Sequence, residues 1–163
     1  MIDLVTSTEI DAPAETVWKN LVDLERFSEW NPFIRDARGK PRIGAKLRLR
    51  VRSSLRLPLV FRPKVVACQE NRELRWRGRF LSSWLGAGDH SFSIEPTAAG
   101  RVRFIQREVF TGVLPALLHE LVVREARAGF MAMNEALKQR AESTACAASA
   151  KPAGSPPGQN ASA

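Results

Sequence analysis

Three polar side chains stand where apolar ones are expected. In residues 101–110 side-chain type alternates. One face carries Val102, Phe104, Gln106, Glu108 and Phe110; the other carries Arg101, Arg103, Ile105, Arg107 and Val109. The first face is the more apolar and should point inward. Gln106 and Glu108 then lie on a covered surface. In a second alternating segment, His90 shares a face with Phe92 and Ile94. Burying such groups without partners costs several kcal/mol. A cavity holding water or ligand would meet that need. A carboxylate beside an imidazole is also an acid–base pair, because imidazole titrates near neutrality. His90 and Glu108 are therefore the candidate catalytic residues. The plainer roles are a satisfied core or rim histidine, and a strand-end carboxylate that reaches solvent or caps the following helix. A slip of one residue would reverse every face.

Other chemistries lack their motifs. His119-Glu120 has no second histidine at zinc-site spacing. Two histidines and two scattered cysteines make no metal cluster. Neither a phosphate-binding glycine loop nor a GxSxG nucleophile elbow occurs. No tyrosine is present to act as a general acid. No metal or cofactor is expected.

The elements that position these residues follow from periodicity. Residues 4–10 read as a strand. Pro13 and Glu15 suit a helix start, and Val17, Trp18, Leu21 and Val22 recur at helical spacing. A second short helix over 24–30 ends at Asn31-Pro32. The period then changes to two over 46–52, 73–80, 90–94 and 101–104, with a further strand over 61–68. Turns are expected at Gly39-Lys40-Pro41, Glu70-Asn71-Arg72, Gly86-Ala87-Gly88 and 96–100. A single helix over 113–142 carries Leu114, Leu118, Leu121, Val122, Met133 and Leu137 on one stripe. Gly129 interrupts it, to make room for a ligand or a close strand. The order predicts an α+β domain over residues 1–142, with a long helix across an antiparallel sheet. Residues 143–163 are almost all Ala, Ser, Pro, Gly, Asn and Gln, and read as a disordered tail.

Composition bounds the rest. A chain of 163 residues suits one domain. No apolar run approaches a membrane span. The first residues lack the pattern of a secretory leader, and the two cysteines form no disulfide framework, so a cytoplasmic location is expected. The net charge of +8 raises nucleic acid or an anionic membrane as partners. Arg48, Arg50, Arg52, Arg75, Arg77, Arg79, Arg101, Arg103 and Arg107 fall on outward faces. Aligned, they would form a basic stripe, partly paired with Glu70, Glu73 or Glu95. The aromatics lie on the opposite face, unlike those of a single-strand binder. The sequence sets no oligomeric state.

The segment Thr8-Glu9-Ile10-Asp11-Ala12-Pro13 leads into Val17-Trp18, and Trp30-Asn31-Pro32-Phe33 follows. Trp76-Arg77-Gly78, Gly88-Asp89-His90-Ser91-Phe92 and Phe130 with Met133-Asn134 complete the pattern. Together they resemble the START/birch-allergen-like superfamily (SRPBCC), in its polyketide cyclase/dehydrase-like branch. The resemblance implies a helix-grip fold: a curved sheet of about seven strands wraps the C-terminal helix around a ligand cavity. It also implies functions from cyclase and dehydratase to lipid carrier.

The expected function is binding of a hydrophobic or aromatic small molecule, lipid-like or polyketide-like, between sheet and helix. The expected lining is Phe33, Leu49, Trp76, Phe80, His90, Phe92, Phe104, Gln106, Phe110, Leu118 and Val122, with His90 and Gln106 orienting polar groups. Trp84, between serines and glycines, reads as a flap. The alternatives are a cyclase/dehydratase-type enzyme using His90 and Glu108, and a module that binds anionic partners through the arginine stripe.

Overall fold

The computed structural model describes residues 1–52, 59–80, 82, 84–97 and 100–149, with backbone alone at position 80. The chain opens with β1 (Ile2–Ile10), α1 (Ala14–Val22), a 3-10 turn (Leu24–Arg26) and α2 (Phe27–Trp30). Strands β2 (Ile34–Arg38), β3 (Arg48–Val51), β4 (Leu59–Phe61) and β5 (Lys64–Gln69) follow. Three longer strands come next: β6 (Glu73–Phe80), β7 (Gly86–Pro96) and β8 (Val102–Thr111). Helices α3 (Val113–Leu117) and α4 (His119–Ser149) complete the order.

The architecture is α+β, with the long helix packed against a large antiparallel sheet. The described strands number eight, in two sheets, rather than seven in one. One sheet has the order β1-β8-β7-β6-β5 and the other β2-β3-β4. The expected strand over 61–68 is two strands, one in each sheet. Pro63 lies between them and cannot donate to a ladder. A bridge between Lys46 and Lys64, and the Leu47 amide donating to the Pro63 carbonyl at 2.8 Å, join the two sheets.

Two further expectations change. The Gly86-Ala87-Gly88 turn is instead the start of β7, where Gly86 and Gly88 pair with Phe80 and Gly78. The single helix over 113–142 is broken at Leu118, whose φ of -103° and ψ of 30° leave the helical region. Its far end runs on to Ser149, beyond the expected boundary at 142. Alanine, the strongest helix former, carries the helix through this stretch. Ala141 is fully buried and Ala145 packs on the core. The rest of the expected tail, 150–163, lies outside the described residues.

The core sits between α4 and the inner faces of both sheets. Phe92, Phe104, Phe130, Met133 and Leu137 are all 0% exposed. Each such side chain contributes roughly 1.5–3 kcal/mol by leaving water. Gly112 turns the chain from β8 into α3 at φ 104°, against the backbone of Gly86, where no Cβ fits.

Candidate functional site

The site is built from rows of side chains that cross the large sheet. Pairing places Trp76 opposite His90, and His90 opposite Glu108. Two residues along, the next row is Gly78, Gly88 and Phe110. Two residues the other way, the row is Leu74, Phe92 and Gln106. The glycine row removes side-chain volume, and a cavity of about 280 Å³ opens over it. That volume lies just under the usual range of ligand pockets, which starts at about 300 Å³.

The boundary between rows decides which expected residues line the cavity. Phe33, Leu49, Trp76, His90, Phe110, Leu118 and Val122 do, and so does Glu108. Phe92, Phe104 and Gln106 do not; they are 0% exposed, in the packed layer beneath. The Phe80 side chain lies outside those described. Trp84 is 68% exposed and is not part of the cavity wall. Its carbonyl accepts the Val113 amide at 3.0 Å, which ties its loop to α3.

Several lining residues went unread in the sequence. Val51, Leu59 and Phe61 come from β3 and β4, and Leu121 and Ala126 from α4. Arg52, Arg79 and Glu125 supply charge. Gly78 and Gly88 had a legible signal, because alternation extended back from His90 puts Gly88 on the inner face.

Local chemistry holds the wall in place. The Asn31 side-chain carbonyl accepts the Phe33 amide at 3.0 Å and the Ile34 amide at 2.8 Å. This turn directs Phe33 over the cavity, where it meets Phe130 edge to face at 5.6 Å. Gly129 leaves room for that ring, not for a strand or a ligand: a Cβ there would overlap it.

The polar groups form one chain. His90 Nδ1 lies 3.1 Å from Glu108 Oε2. His90 Nε2 lies 3.0 Å from Gln106 Nε2, which also faces Met133 Sδ at 3.9 Å. The imidazole stacks on Phe92 at 4.5 Å and sits 4.8 Å from Phe130 and 5.5 Å from Trp76. Both ring nitrogens are engaged, and Gln106 is sealed below. The expectation that Gln106 would meet a ligand directly therefore gives way to a supporting place. Nearby, Asn134 donates to Thr6 Oγ1 at 3.0 Å and links α4 to β1.

The outer surface is not a continuous arginine stripe. Arg48 and Arg50 lie in the smaller sheet, away from β6 and β8. Arg75 is bidentate to Asp89, at 2.6 and 2.9 Å. Arg77 also binds Asp89, Arg107 binds Asp3, and Arg103 lies 4.0 Å from Glu9. Of the expected partners, Glu73 acts on Arg75 through charge alone, and the close ion pairs are made with these cross-strand acids. Burial raises the Asp89 carboxyl, but hydrogen bonds and charge from Arg75 and Arg77 outweigh it and hold it low. The hydrogen bond and charge of Arg107 lower Asp3 in the same way. Cys68 and Cys146 are unpaired, and burial raises the Cys68 thiol. Among the described residues no cluster of three His, Cys, Asp or Glu could hold a metal, and no helix is long and apolar enough to cross a membrane.

Residues 1–142 match the family described as polyketide cyclase / dehydrase and lipid transport. The chain belongs to this family. Solved structures share its fold. A START superfamily protein from Mycobacterium smegmatis is 22% identical, with a TM-score of 0.69 over 87% of this chain and 98% of that one. The Zhui aromatase/cyclase from Streptomyces sp. R1128 is 15% identical, with a TM-score of 0.72 over 86% and 93%. A norcoclaurine synthase from Thalictrum is 10% identical, with a TM-score of 0.69 over 88% and 95%. At these identities the likeness is one of fold. No curated protein matches the chain in sequence.

Proposed function

We propose that this protein binds a hydrophobic or aromatic small molecule in the cavity between its sheets and α4. The observation that carries the reading is the largely apolar cavity of about 280 Å³ with His90 and Glu108 set side by side into its wall. Apolar surface supplies affinity there, and a few placed polar groups supply orientation. The family description, which names both cyclase/dehydrase activity and lipid transport, supports the same ligand class. The unpaired cysteines fit a reducing compartment such as the cytoplasm.

The 3.1 Å contact between His90 and Glu108 favours a second reading, ring closure or water loss with this pair as acid and base. Native mass spectrometry of freshly purified protein tests the first reading. A bound mass that is lost on denaturation is expected; persistent apo protein across expression hosts and added apolar libraries would overturn it. Incubating the recovered ligand separates the readings. Turnover that disappears in His90→Ala marks an enzyme; an unchanged ligand marks a carrier.

A further inference from the structure

Glu108 is the one group of the His90 chain that brings an unpartnered polar atom to the cavity wall; the unpartnered Gln106 Oε1 is sealed beneath it. Gln106 Nε2 can only donate, so His90 Nε2 accepts from it. The reverse amide orientation would put two N–H donors where Gln106 Oε1 now has no partner at all. His90 Nδ1 therefore carries the proton and turns it toward the carboxylate of Glu108, whose Oε2 lies 3.1 Å away. With both nitrogens committed, the imidazole presents only its ring to the cavity. Glu108 Oε1 has no hydrogen-bond partner among the described residues. It leans over Gly88, in the space a Cβ at that position would take. A carboxylate oxygen facing apolar walls needs a donor.

We propose that Glu108 Oε1 is the recognition atom of the cavity, and that the ligand is an apolar or aromatic molecule bearing a hydrogen-bond donor, a hydroxyl or an amine. Gln106 and His90 are positioning residues that fix the carboxylate, and Gly88 keeps its approach open. This rests on the cavity-binding reading above and goes further by naming the ligand's polar chemistry.

Calorimetry with two probes of one shape tests it. 2-Naphthol carries a donor; 2-methoxynaphthalene has lost it. The wild-type protein is expected to bind 2-naphthol about tenfold tighter, the scale of a hydrogen bond to a charged acceptor. In Glu108→Gln, and independently in Gly88→Ala, the ratio of the two affinities falls below about threefold. In Gln106→Leu the ¹⁵N shifts of the His90 ring move away from the Nδ1–H tautomer and the preference falls with them. Equal affinity of the two probes for wild type overturns this inference and leaves the cavity reading standing. Binding of neither overturns both. Tighter binding of 2-naphthoate than of 2-naphthol also overturns it, since recognition would then belong to Arg52 and Arg79.

Discussion

Gly129→Ala is expected to act against the usual rule for helix interiors. At an open helical position the change stabilises by about 1 kcal/mol, because glycine is the poorer helix former. At Gly129 the new Cβ would fall against Cγ, Cδ2 and Cε2 of Phe33. That ring cannot retreat toward Phe130, which it already meets at 5.6 Å and which is 0% exposed. Its backbone is held by Asn31 at 3.0 Å. The free direction is into the cavity. Overpacking of this kind costs about 1–3 kcal/mol, which leaves a net loss of about 1 kcal/mol after the propensity gain. A urea slope of about 1–3 kcal/mol/M converts this into a midpoint lowered by roughly 0.5 M. Urea unfolding followed by circular dichroism reads it. In a Phe33→Ala background the clash is gone, so Gly129→Ala should raise the midpoint. A rise in the wild-type background by the full propensity amount would refute the argument.

Three other outcomes are expected. Trp76→Ala removes a 4%-exposed side chain that packs edge to face on Phe92 at 4.8 Å, and should destabilise by about 3–5 kcal/mol in chemical denaturation. Asn31→Ala strands the Phe33 and Ile34 amides and should cost about 1–3 kcal/mol in the same assay, with weaker binding of apolar probes as Phe33 loosens. The Asp89 and Asp3 carboxyls lie below their ordinary values in the folded state, so their contribution is present above the unfolded carboxylate pKa of about 4 and is lost as pH falls through the folded values. Urea midpoints at pH 7, 4 and 3 should fall less steeply for Asp89→Asn than for wild type.

Strong period-two patterns made the large sheet legible. Residues 73–80 form β6 as expected, and the inward set Val102, Phe104, Gln106, Glu108 and Phe110 faces α4 and the cavity. What alternation cannot carry is depth. Phe92 and His90 share a face, yet one is core and the other cavity wall, because the glycine floor and the second sheet cover only part of that face. Strand β2 went unread, since Ile34-Arg35-Asp36-Ala37-Arg38 holds two charges of one sign around one of the other and gains its strand form from pairing with β3. The arginines looked like one stripe because sequence spacing does not say which strands are neighbours. Asp89 and Asp3, their partners, lie on other strands of the same face. The acid–base pair was visible as types. Its polarity was not, because the amide beneath His90 is placed by the packing of Gln106 against Met133.

The central claim is that the space above the Gly78–Gly88 row is a ligand site. Titrating 2-methoxynaphthalene into ¹⁵N- and methyl-labelled protein and following the NMR spectrum tests it most directly. Saturable shifts confined to Phe33, Leu49, Val51, Trp76, Gly88 and Val122 are predicted. Shifts absent from these residues, or spread without saturation over the outer face, would contradict it.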